Sequence, residues 1–310
     1  MRHSLAILQQ QLPHKQSPPQ VVSGNLACMT AIMLFAVGFP AADRLLQDWG
    51  VVSLIATRNM LGLLLLVCLW LVIEGWKAVA SAPWFTGIRI GAIGFGLGAT
   101  LLLVCQSMTN AVTAALAAAS MPVAAVGYEV ALDGRRLTRN FLTGVVLVLI
   151  GGYLAIGMDV GDANLGTGAL IGLLAATIFA WGSRSTVKSL PELSAVGQTV
   201  VTTAGMAFFC LALYLVLILF NLPGTHAAAL DTHSWSLLLI YAWVSLAISQ
   251  AFWIAGVGKL GVGLASFHLN AAPFYVMLIL LALGGSWSWM QAMGALILAT
   301  GVVIAQRRQS

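Results

Sequence analysis

Ten apolar runs follow one another along the chain, at 22–42, 51–73, 84–108, 110–132, 140–157, 166–187, 193–219, 234–258, 261–283 and 288–306. A bilayer core of ~30 Å needs about 20 residues at 1.5 Å rise each, so each run has the length of a membrane-crossing helix. Polar positions cluster between the runs. Ser107 to Asn110 and Gly258 to Gly261 leave almost no loop, which predicts antiparallel hairpins at both joints.

The pattern occurs twice. Phe35-Ala36-Val37-Gly38 returns as Phe179-Ala180-Trp181-Gly182, 144 residues later, with a base nine residues after each phenylalanine (Arg44, Lys188). Pro122, Gly134 and Gly151 return as Pro273, Gly285 and Gly301, at offsets of 151, 151 and 150. Each copy holds five runs. An odd number makes the second copy enter the membrane from the opposite face, so the duplication predicts inverted-topology repeats, an arrangement typical of transporters with the substrate site between the halves. The expectation is an all-α membrane protein of ten transmembrane helices, two inverted five-helix repeats around a central cavity. Its divisions are a cytoplasmic tail at 1–21, a first repeat at 22–158 and a second at 166–306, joined near Asp159 to Gly166.

Composition agrees. The chain is 60% hydrophobic and 7% charged, against roughly 25% charged in soluble domains. With the N-terminus in the cytoplasm, eleven bases (Arg2, Lys15, Lys77, Arg135, Arg136, Arg139, Arg184, Lys188, Lys259, Arg307, Arg308) fall on the cytoplasmic side and only Arg44 outside. That is a positive-inside signal and predicts cytoplasmic termini. The tail lacks a signal-peptide core, being interrupted by Pro13, Pro18 and Pro19. Cys28, Cys68, Cys105 and Cys210 lie in apolar runs without a Cys-x-x-Cys spacing and read as packing residues.

The set of elements resembles the EamA family of the drug/metabolite transporter superfamily over about residues 22–306. The carriers are the Phe-Ala-x-Gly element of the first and sixth runs, Ala56-Thr57-Arg58 before a Leu-rich stretch, the mid-run prolines, and the spaced glycines Gly144 with Gly151 and Gly294 with Gly301. The Gly-Glu pair of many members is replaced by Asp133-Gly134 and Gly284-Gly285, so no role of that glutamate is carried over. The stretch Trp287-Ser288-Trp289-Met290-Gln291 is similar to aromatic amino-acid exporters of the YddG type. The resemblance implies a ten-helix exporter in a bacterial inner membrane, with a cavity open to each side in turn.

Candidate substrate-binding residues are the polar and aromatic groups inside the runs. Arg58 lies about seven residues into the second run; it is a candidate for a substrate carboxylate, or a structural arginine paired with Asp43 or Asp48. His268 and Asn270 replace Ala117 and Ala119 of the first copy, and Trp181 replaces Val37. The fold does not demand polar groups there, which makes the asymmetry a pointer to cargo. His268 is a candidate proton carrier, since its ordinary pKa is ~6.5, or an interhelical hydrogen-bonding group. Tyr275 and the tryptophans Trp243 and Trp253 offer rings to an amphipathic solute or pack against lipid. Gln250, Asn59, Gln106, Asn110 and Gln198 are the amides in or near the runs. Glu129 pairs with Arg135 or Arg136, or relays protons. Pro122 and Pro273 are candidate hinges because proline breaks the helical ladder. Trp49, Trp84, Trp235, Trp287 and Trp289 read as interface anchors.

These features predict a secondary transporter of small metabolites, amino acids foremost, working by alternating access, with no cofactor, no metal and no nucleic-acid partner. Protons are a candidate coupling ion, and ten runs suffice for a monomer. The alternative is a polytopic membrane enzyme acting on a lipid-linked substrate. That reading lacks clustered Asp, Glu or His, His-Glu-x-x-His and a Gly-rich phosphate loop.

Overall fold

A computed structural model describes residues 18–132, 134, 136, 138–156, 163–229 and 231–306. Residues 1–17, Asp133, Arg135, the 157–162 join and Arg307 with Arg308 lie outside that range, as does the side chain of Glu129, so the pairing expected of it and part of the charge reading fall outside too. Among the described residues there are helices and no strands.

The helices follow the apolar runs. They are α1 (Pro18–Leu45), α2 (Val51–Ser81), α3 (Trp84–Met108), α4 (Ala111–Leu132), α5 (Arg139–Ile156), α6 (Ala163–Ser189), α7 (Ala195–Leu219), α8 (Thr232–Leu260), α9 (Val262–Ser266, Phe267–Ala271 and Ala272–Ala282) and α10 (Trp289–Gln306). Eight are long and apolar enough to cross a membrane; α5 and α10 are shorter apolar helices. Side chains set several starts. Asn110 accepts the Thr113 N–H at 2.9 Å, Ser194 accepts that of Gly197 at 3.0 Å, and Asp231 accepts that of Ser234 at 2.7 Å, each satisfying a donor that a helix start leaves open. The span in α2 ends at Gly75, whose φ of 79° breaks the helix in a conformation open to glycine.

Two pairs of helices, α5 with α10 and α2 with α7, pack against each other in antiparallel fashion. In α5 and α10, a Cβ on Gly144 would stand 2.5 Å from the Gly301 carbonyl oxygen, and one on Gly151 would stand 2.6 Å from that of Gly294. In α2 and α7, Asn59 Nδ2 donates to Cys210 Sγ at 3.2 Å, and the Ser194 hydroxyl donates to the Glu74 carboxylate at the other end. Residue numbers rise along one partner as they fall along the other in both pairs. Two further contacts match across the copies: Gly38 of α1 meets Ser245 of α8, and Gly182 of α6 meets Gly94 of α3.

The matching extends to irregularities. α3 carries a π-helical stretch at Gly91–Leu97 and α8 one at Ile240–Ile248, near the 151-residue offset. A π-turn adds residues per turn and re-aims the helix face. Along α3, Gly87, Gly91 and Gly96 meet α7 at Val201, Thr202 and Phe209, whereas Gly94 and Gly98 meet α6 at Gly182 and Phe179. α4 breaks at Ser120, just before Pro122, and α9 tightens to a 3-10 turn over Phe267–Ala271, just before Pro273.

One end of the bundle is roofed by the α7–α8 loop. The Gly50 N–H donates to the His226 carbonyl at 2.9 Å and the Val52 N–H to that of Gly224 at 3.0 Å. Trp49, expected as an interface anchor, is therefore only 5% exposed and packs among Leu45, Leu54 and the loop's Ala228.

Candidate functional site

Between the helices lie two adjoining chambers. The first encloses about 680 Å³ of empty space, mouth included, and is lined by Arg58, Gln106, Tyr241, Thr202, Phe39 and Ser245 among others. The second, of about 590 Å³, is lined by Ile32, Met121, Ala176, Ser183, Ser249 and Trp253 among others. Phe35, Phe95, Leu102, Phe179 and Gln250 line both, so the rings of three phenylalanines form the waist between them. Phe179 meets Phe95 at a 49° tilt with centroids 6.1 Å apart, and Phe35 meets Phe39 edge-on at 5.0 Å. The two repeated phenylalanines thus face each other's half of the molecule across one cavity.

Arg58 is 6% exposed. Its Nε donates to the Tyr241 backbone carbonyl at 3.2 Å, and its guanidinium carbon stands 4.3 Å from the Tyr241 ring centroid. Neither Asp43 nor Asp48 pairs with it. Asp43 lies within α1 rather than in a rim loop, and its carboxylate accepts from Gln106 Nε2 at 2.6 Å. Placing an arginine at the bilayer centre costs ~2.5–3.5 kcal/mol on the insertion scale. A desolvated cation–π contact returns ~2 kcal/mol, and a hydrogen bond from a charged donor about 1.5–3. Tyr241 therefore holds the cation in place without a counter-ion, and among the described residues no ion pair or further hydrogen bond engages its terminal amino groups. They face a chamber whose walls are otherwise almost entirely apolar or neutral.

Of the residues singled out from sequence, Arg58, Gln250, Gln106 and Trp253 line the cavity. Asn59 is fully buried behind it, holding α2 to α7 through Cys210, with its Oδ1 unpartnered. His268, Asn270, Trp181 and Tyr275 do not line either chamber. His268 Nδ1 contacts the carbonyl of Ala265 on its own helix at 3.1 Å, and the Asn270 Oδ1 is buried without a partner. Trp181 edges the Gly94–Gly182 contact, and Tyr275 packs against two core clusters. Pro122 and Pro273 are buried beside the breaks in α4 and α9. Trp243 does not line the chambers; its Nε1 donates to the Leu61 carbonyl at 3.2 Å.

Sequence reasoning missed Tyr241, Phe95 and the lining role of Phe35 and Phe179. For the last two a signal was present, since both belong to the repeated Phe-Ala-x-Gly element. Tyr241 carried none beyond being a tyrosine in an apolar run.

Fold and cavity together describe helices, eight of them long and apolar enough to cross a membrane, around an internal cavity. The family comparison narrows this: residues 22–157 match the model of the EamA-like transporter family, which lies in the drug/metabolite transporter superfamily. Over that stretch the chain is similar to a family whose members are transporters rather than enzymes. Among solved structures, one described only as a crystal structure of a protein superposes with a TM-score of 0.68, covering 92% of this chain and 96% of its own at 20% identity. That likeness speaks to fold alone. No curated protein matches the chain.

Proposed function

We propose that the chain is a secondary exporter of amino acids, aromatic or otherwise hydrophobic, in the manner of the YddG-type exporters. It works by alternating access between two inverted repeats, 22–158 and 166–306, in a bacterial inner membrane with both termini cytoplasmic. The observation that carries this reading is Arg58, a buried cation with no counter-ion, opening onto a cavity whose waist is three phenylalanine rings. A carboxylate satisfies the cation, and an apolar or aromatic side chain packs against the rings. Gln250, shared by both chambers, and Thr202 offer neutral hydrogen-bonding groups for the remainder of the solute. The antiparallel packing of α2 on α7 and of α5 on α10 supports the inversion, because these are the second and fifth helices of each copy. The breaks before Pro122 and Pro273 support their reading as hinges.

Energy comes from a gradient, since the chain carries no nucleotide-binding loop, and a monomer suffices. Asn59 serves the α2–α7 contact behind the site. His268, Asn270, Trp181 and Tyr275 act, in this reading, on helices that move with the site. The test is counterflow in liposomes preloaded with phenylalanine, tryptophan, leucine or a neutral nucleoside. Uptake of labelled aromatic amino acid is expected, and its loss in Arg58→Ala. No flux across a panel of amino acids, nucleosides and amphipathic drugs overturns the proposal.

A further inference from the structure

Asp43 and Glu74 are the acidic side chains described within the helices α1–α10. Glu74 stands at the Gly75 break and takes a hydrogen bond from Ser194. Asp43 is different. It is half-buried in α1, two residues before that helix ends, and touches the Arg58 chamber only through a neighbour. A single amide joins it to the chamber wall: Gln106 Nε2 of α3 donates to Asp43 Oδ1 at 2.6 Å and to the Phe39 carbonyl of α1 at 2.7 Å. Phe39 and Gln106 both line the chamber. One acidic group therefore ties α1 to the end of α3 behind one wall of the chamber, with the start of α4 beside it.

The second copy has no such tie. At the offsets of 144 and 151, Asp43 and Gln106 correspond to Val187 and Val257. A contact needed by the fold would be duplicated with the fold, as the glycine contacts are. This one exists at a single end, which is what directional coupling requires. The groups around Asp43 are few. Arg44 follows it on α1, and Tyr241 approaches from α8 with Arg58 of α2 over its ring. The other titratable groups of the packed helices are Cys105 of α3, next to Gln106, with Arg89 towards that helix's other end, Tyr128 on α4, His233 in the first turn of α8, Lys259 near its far end, and His268 and Tyr275 on α9.

We propose that Asp43 is a proton-binding coupling site. Ionised, its carboxylate takes a charge-assisted hydrogen bond from Gln106 and keeps that wall of the chamber closed. On taking a proton from the water at that face it loses the charge assistance, releases Gln106 and lets the wall part; the proton returns to water when the latch re-forms. An intramembrane carboxylate beside a cavity is suited to this exchange. The inference rests on the alternating-access reading proposed above.

The test places a reporter at Leu103, which lines only this chamber. In proteoliposomes, a membrane-impermeant maleimide is applied from the Asp43 side to the Leu103→Cys protein. Labelling is read peptide by peptide by mass spectrometry and normalised to free cysteine at each pH. Labelling roughly tenfold faster at pH 5.5 than at pH 8 is expected, the equivalent of one charged hydrogen bond. Asp43→Asn and Gln106→Leu should each label fast at both values, and Asp43→Glu should keep the dependence. A ratio within twofold in the parent, or a ratio that persists in Asp43→Asn, overturns the proposal. Thermal melting checks that each variant is folded, and Gln106→Leu decides the matter if Asp43→Asn is not. Labelling needs no solute, so a failed latch and a failed transport reading are told apart.

Discussion

Arg58 is gripped twice by one residue, Tyr241: the backbone carbonyl accepts a hydrogen bond from its Nε at 3.2 Å, and the ring centroid lies 4.3 Å from its guanidinium carbon. The carbonyl belongs to the π-helical stretch Ile240–Ile248, so an irregularity in α8 positions a charge on α2. This grip orients the terminal amino groups and sets the expected behaviour of variants. Arg58→Ala should lower counterflow at least tenfold. Arg58→Lys keeps the charge but loses the planar fork and should fall between. Tyr241→Phe keeps ring and carbonyl and should transport near the parental rate, whereas Tyr241→Leu should lower both flux and melting temperature.

The waist gives a second prediction. Phe179 packs against three of the core clusters as well as lining both chambers, whereas Phe35 packs against one. Phe35→Ala should widen the passage at modest cost in stability and let bulkier solutes through. Phe179→Ala should destabilise more, by about 3 kcal/mol on the scale of buried phenylalanine truncation. Melting curves and a size series of solutes separate the two.

Close approach of backbones at the α5–α10 contact predicts a stability difference between neighbouring glycines. Gly144→Ala puts a methyl 2.5 Å from the Gly301 oxygen, and should cost about 1–3 kcal/mol as overpacking. Gly152→Ala, one position past Gly151, meets nothing within 4 Å and should be neutral or better. Thermal unfolding in detergent, with the two variants side by side, checks this.

At the roofed end, Asp231 caps α8. The backbone N–H of Ser234, and then its hydroxyl, hold the Asp231 carboxyl below the usual carboxylate range. A group whose folded pKa is depressed contributes stability above its unfolded value of ~3.9 and loses it as pH falls through the folded value. The parent's melting temperature should therefore decline from about pH 4 downward more steeply than that of Asp231→Ala, and the two should differ most at neutral pH.

The positions of the helices were legible because hydropathy over 20 residues is a strong signal. Trp84–Met108 coincides with its expected run, and the others shift by only a few residues at an end, α2 apart. The cavity was legible only where a residue was charged or repeated. Phe95 or Met206 in a cavity wall has the same hydropathy as a phenylalanine facing lipid, and the difference lies in tertiary packing. The asymmetry between copies pointed to His268, Asn270 and Trp181, yet those side chains stand away from the chambers. Asymmetric pairs that do line a chamber include Arg58 with its counterpart Thr202 and Ala99 with its counterpart Gln250, with the Asp43–Gln106 tie beside them. The π-helical stretches left no trace in hydropathy, because they alter the hydrogen-bond register and not the composition.

Those two π-helical stretches also bear on how the chain tolerates a deletion. A π-helical turn holds more residues than the α-helical turn it replaces, so removing one residue within Ile240–Ile248 would restore the α-helical register and swing one part of α8 against the other by about 100° around the axis. The Tyr241 carbonyl would turn away from Arg58, and the hold on the cation would be lost with both residues still present.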